Sequence, residues 1–147
     1  MARHAPTDSR HSDRGFGALH AFFGAFPLAY FVFAFITDYA YTQSYNLQWQ
    51  YFSIWMIVAG LVTLGFSILF GGIDWLMSRR RSDGPRGSLW HMLPALLAWV
   101  LGLLNAFIHS RDGWTAVVPE GIILSAIVAL LMLATAGLSA FAFARRP

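Results

Sequence analysis

Two groups of ionisable side chains lie at the edges of long apolar stretches, where a charge is costly enough to suggest a purpose. The first is His20, Asp74 and His91. Two imidazoles carried by different helices and brought to one point can ligate a b-type haem, or one of them can serve a quinone, with Asp74 tuning the site. The bland alternative is that a histidine within one turn of the surface reaches interfacial water, and that Asp74 pairs with an arginine of the segment that follows. The second group is Asp38, Asn105, His109, Arg111, Asp112 and Glu120. His109 with Asp38, Asp112 and Glu120 is a donor set adequate for Zn²⁺ or a similar divalent ion, and equally for handling a proton. Here the alternative is a hydrogen-bonded loop cap with Arg111 paired to Asp112 or Glu120.

The elements that must position these groups are legible from hydropathy. Hydrophobic residues make up 57% of the chain and charged residues 12%, about half the charge of an ordinary soluble domain. A helix needs about 20 apolar residues to cross the hydrocarbon, and four stretches meet that length: 18–40, 52–77, 89–108 and 119–143. An open sheet exposed to lipid would leave its edge unsatisfied, so the fold class is all-α, an integral membrane four-helix bundle. Its short connections make neighbouring helices antiparallel. Residues 1–15 are polar and mixed in charge and read as a disordered cytoplasmic tail; residues 16–144 hold the bundle, and 145–147 are a second cytoplasmic end.

Every one of the ten basic residues is Arg. Arg3, Arg10, Arg14, Arg79, Arg80, Arg81, Arg86, Arg145 and Arg146 fall in segments that an even number of crossings places on one side; Arg111 alone falls on the other. By the positive-inside rule that side is the cytoplasm, which makes this a multi-pass membrane protein with both termini inside. Tyr45, Trp49, Tyr51 and Trp114 then form the outer aromatic belt, and Trp75 and Trp90 the inner one. The arginines flank apolar spans in short clusters, so the basic pI reflects topology and no nucleic-acid partner is implied. The absence of cysteine excludes disulfides, thiolate metal sites, iron–sulfur clusters and covalently attached c-type haem.

Helical geometry links the two layers. His20 and Asp38 are 18 residues apart, as are His91 and His109, and about five turns of 3.6 residues return each pair to one face. The first and third spans therefore each carry a polar stripe directed at the bundle interior. Pro27 interrupts the first span and is expected to kink it. Gly71 and Gly72 precede Asp74 and allow close packing or a break. In the fourth span Gly121, Ser125 and Ala129, then Ala136, Ala140 and Ala144, form a small-residue row suited to packing inside the bundle or against a second copy. No Walker A loop, dinucleotide fingerprint, H-E-x-x-H or G-x-S-x-G motif is present.

The residues Leu19-His20, Phe26-Pro27, Asp38, Gly72-Ile73-Asp74, His91, Asn105, and His109-Ser110-Arg111-Asp112-Gly113-Trp114 through Val118-Pro119 resemble a bacterial family of four-helix membrane proteins, domain of unknown function 2231. The resemblance covers about residues 17–140, and its most specific part is the run from His109 to Pro119. Family members often carry Pro directly after the first His and a second His two residues before the Pro; this chain has Ala21 and Ala25 there, which speaks against a site needing two histidines on the first helix. Some members are fused to Rieske-type iron–sulfur domains, which implies electron transfer for those relatives.

Two functions of different classes follow. The first is a non-enzymatic accessory or scaffold protein whose partners are the bilayer and other membrane proteins or further copies of itself; it asks least of these residues. The second is a small membrane redox protein holding haem b or a quinone through His20 and His91. An oligomeric transporter or a metal-binding membrane protein is the remaining alternative.

Overall fold

The computed structural model describes residues 9–79, 92–111 and 113–144, and among these every regular element is helical. Helix α1 spans Ser9–Gly24 and α2 spans Pro27–Ser44. Helix α3 is Leu47–Arg79, α4 is Met92–His109, and α5 is Glu120–Ala144 after a 3-10 turn at Gly113–Ala116. Among the described residues four stretches are long and apolar enough to cross a membrane: Gly15–Ser44, Leu47–Met77, Met92–His109 and Gly113–Leu138. The polar segment before the first span is helical from Ser9 onward, because an established helix gains a hydrogen bond for each residue added to it. Residues 1–8, Trp90, His91, Asp112 and 145–147 lie outside the described residues.

The first span is two helices, not one. It stops at Gly24 and restarts with Pro27 as the first residue of α2. Proline has no N–H to give and its fixed φ suits a helix start, so the break falls where the ring is tolerated best. At the other end Tyr45 turns left-handed (φ 55°) and its N–H bonds Tyr41 O at 2.8 Å. Asn46 Oδ1 then accepts the Gln48 N–H at 3.0 Å and caps α3. That two-residue connection makes the first two spans antiparallel.

The strong packing pairs are α1 and α2 with α3, α3 with α4, α4 with α5, and α5 with α2. The four spans thus close a ring in chain order. The core takes residues from each: Phe31 from α2, Leu64 from α3, Ala98 from α4, Val128 and Met132 from α5. Phe31 is 2% exposed, and its ring fits against Gly60 of α3 and Gly102 of α4, where an added Cβ would stand 2.9 and 3.2 Å from it. Large apolar side chains such as Trp55, Phe107 and Leu130 point outward, each about two-thirds exposed. Such a surface is stable against acyl chains and would aggregate in water. At the end of the bundle that holds the α2–α3 connection, Trp114 stacks on Tyr45 (5.1 Å between ring centres) and lies 5.8 Å from Tyr41.

Candidate functional site

A closed polar network fills the half of the bundle nearer the α2–α3 connection, and all four spans contribute to it. Asp38 of α2 is fully buried. Its Oδ1 lies 2.9 Å from His109 Nε2, and its Oδ2 accepts the hydroxyl of Ser125 on α5. Ser125 Oγ in turn accepts from Asn105 Nδ2 at 2.8 Å, and His109 Nδ1 returns to the Asn105 carbonyl at 3.0 Å. From α3, Ser53 donates to Ala34 O at 3.3 Å and stands 3.4 Å from His109 Nε2. Ser53, Asn105, His109 and Ser125 are all 2% exposed or less.

The partners fix where the protons sit. The Asn105 carbonyl can only accept, so His109 Nδ1 carries a hydrogen. One further proton lies between Nε2 and Asp38 Oδ1. Either it rests on the imidazole, giving an ion pair, or on the carboxyl, giving two neutral groups. The remaining hydrogen bonds are the same in both cases, and the pair is neutral overall. Two buried acceptors, Asn105 Oδ1 and Gln50 Oε1, find no donor among the described residues.

This arrangement is not a Ser-His-Asp catalytic triad. A Ser-His-Asp triad holds the carboxylate on Nδ1 so that Nε2 is free to activate the hydroxyl. Here Asp38 and Ser53 share Nε2, while Nδ1 is committed to backbone. Of the residues expected to hold a metal, Asp38 and His109 meet, Glu120 is exposed in the first turn of α5, and Asp112 lies outside the described residues. Among the described residues no three His, Cys, Asp or Glu side chains come together in a metal-binding group. Arg111 is exposed as well.

Toward the other end of the bundle, His20 Nδ1 lies 2.8 Å from Ser67 O and 3.1 Å from Ser67 Oγ. The hydroxyl of Ser67 bonds back to His20 O at 3.3 Å. The imidazole rests on Gly71, where an added Cβ would stand 2.8 Å from Nδ1. Asp74 is half-buried one turn further along α3. His20 borders a partly open cleft of about 400 Å³ to which all four spans contribute, among them Leu28, Leu64, Ser67, Met132 and Thr135. The helix break at Ala25 also borders it. Irregular backbone at membrane depth is tolerated where it lines a cavity, which is the situation here. His91, which precedes the cleft residue Met92 in the chain, lies outside the described residues.

No curated protein and no solved structure matches this chain. One family model does, over residues 17–143, and its description is "Predicted membrane protein (DUF2231)". The apolar exterior and four spans agree with that description, and the chain belongs to the domain of unknown function 2231 family of membrane proteins.

Proposed function

We propose that this protein is a non-enzymatic accessory protein of the bacterial cytoplasmic membrane, and that it works by holding a membrane-soluble ligand in the His20 cleft. The carrying observation is the state of His20. Its Nδ1–H is given to the Ser67 carbonyl, so in the neutral ring Nε2 is an acceptor with no protein partner among the described residues. A cleft of about 400 Å³ falls in the range of ligand sites, and its mostly apolar lining with a few polar groups is their usual composition. The arginine distribution puts this cleft on the cytoplasmic side.

A second reading has the same residue ligating haem b. A histidine that binds a metal usually gives its other N–H to a carbonyl, as His20 does. His20 would be one of the residues holding the haem, and His91, which lies outside the described residues, is the expected second. A reduced-minus-oxidised absorption spectrum of protein incubated with haem separates the two readings, since only the second gives a cytochrome signal that His20→Ala removes.

For the ligand reading, the probe is a short-tailed benzoquinone or its hydroquinone, titrated onto the protein in mild detergent. Gly71→Ala is expected to weaken binding about tenfold, because the new methyl displaces the imidazole and undoes its hydrogen bond to Ser67. Gly72→Ala, where a Cβ meets nothing within 4 Å, leaves binding unchanged. Equal affinity in the wild type and in both variants would remove His20 from the site.

A further inference from the structure

We infer that the His20 cleft opens sideways into the hydrocarbon of the bilayer, between the end of α1 and α5, and that its ligand enters there and leaves a hydrocarbon tail in that gap. This rests on the ligand-binding reading and adds the route and the tail. It follows from which lining residues are exposed. Leu64 and Ser67 of α3 are buried, and Met92 and Ala95 of α4 are half-buried. The exposed lining residues are His20, Gly24 and Ala25 on one side and Ala136 of α5 on the other. The end of α1 and α5 are therefore the two rims of the opening.

The break in the first span accounts for the gap. Among the described residues α2 packs on α5, and α1 and α2 both pack on α3, but no packing of that extent joins α1 to α5. The ring of spans is closed at the level of α2 and open at the level of α1. An unbroken first span would carry the contact of α2 with α5 onward along α5. The interruption at Ala25 and Phe26 lets α1 follow α3 instead, held there by the bond of His20 to Ser67 O at 2.8 Å. Both rims lie at hydrocarbon depth. Gly24 is nine residues inside the apolar stretch that begins at Gly15, and Ala136 is eight residues before the end of α5 at Ala144, in each case about 12 Å of helix or more. A side opening at that depth meets acyl chains. A compact head group can pass it to reach His20 and the floor at Leu64, while a hydrocarbon tail left in the gap stays in apolar surroundings.

The chain has no cysteine, so a single nitroxide can be placed on one rim. The full chain with Ala136→Cys is spin-labelled and reconstituted in phospholipid bilayers. Its power saturation is compared with oxygen, which concentrates in hydrocarbon, and with a nickel chelate, which stays in water. Oxygen-dominated relaxation is expected, as for a reference label at Leu104→Cys on the outward side of α4, where the native residue is 50% exposed. A benzoquinone with a long alkyl tail is expected to remove most of the oxygen collisions at Ala136→Cys and none at Leu104→Cys. Tail-less benzoquinone, brought to the same occupancy by titration, leaves both unchanged. A label at Ala25→Cys, on the opposite rim, carries the same test should one at Ala136 disturb the fold. Nickel-dominated relaxation at both rims would mean that the cleft opens to water, and would overturn the side entrance while ligand binding stands. Equal effects of the two quinones would overturn the placement of the tail. Shielding from oxygen already present in phospholipid alone, and unchanged by either quinone, would give the gap to a bilayer acyl chain and overturn it as well. If neither quinone binds, the ligand reading itself fails and this inference with it.

Discussion

Asp38→Ala is expected to lower stability by about 3 kcal/mol, whereas Asp38→Asn is expected to cost less than about 1 kcal/mol. The alanine variant removes two hydrogen bonds at once. His109 Nε2 loses its partner at 2.9 Å and the Ser125 hydroxyl loses its acceptor, with both groups fully buried. A carboxamide can replace both. Its oxygen accepts the Ser125 O–H, and its N–H donates to the lone pair of a neutral His109, whose Nδ1–H to Asn105 O is untouched. The comparison decides what the network is for in structural terms. If it clasps four helices through matched donors and acceptors, the amide suffices. If charge on the pair is what stabilises the fold, Asp38→Asn will be as damaging as Asp38→Ala. Thermal unfolding in mild detergent, followed by circular dichroism, reads the difference directly.

How far the sequence discloses this site depends on what kind of information each residue carries. Asp38, Asn105 and His109 stand out because an ionisable or amide side chain in an apolar run must find a partner, and all three are buried in the bundle. The spans are equally plain, since length and hydropathy alone define them. The serines are a different matter. A hydroxyl in a membrane helix can bond a carbonyl of its own helix three or four residues back, as Thr37, Thr63 and Thr135 do. Ser53, Ser67 and Ser125 instead reach a neighbouring helix. Nothing local separates the two behaviours, because the choice depends on which helix stands opposite.

The face count for the first span shows the same limit. Eighteen residues return to one face only along an unbroken helix. The interruption at Ala25 and Phe26 separates His20 from that count, so Asp38 enters the interior while His20 sits exposed at the cleft. Helix order is also absent from the sequence. Short connections require antiparallel neighbours, but the closing contact of α5 with α2 is what sets the first and third spans on a diagonal and lets Asp38 meet His109 across the centre.

Gly121 is the position where that central contact is most exposed to a single methyl group. It lies one turn before Ser125 on α5, and a Cβ there would stand 2.5 Å from the Ala116 carbonyl oxygen and 2.9 Å from His109 Cε1. Neither neighbour can yield without losing a contact that holds the bundle. Ala116 is backbone in the tight turn before α5 and fully buried, and His109 is held through both ring nitrogens. Gly121→Ala is therefore expected to cost about 2 kcal/mol and Gly121→Val about 3 kcal/mol. On the same helix Gly137→Ala, where a Cβ meets nothing within 4 Å, is expected to be neutral or slightly stabilising, because alanine is the better helix former. The decisive step is the double variant. The methyl at 121 acts by pushing the His109 ring off Asp38, so Gly121→Ala combined with Asp38→Ala should cost clearly less than the two single costs added together. Strict additivity would mean that the clash is absorbed by the turn at Ala116 alone, and that the small-residue row of α5 and the polar clasp stabilise the bundle independently.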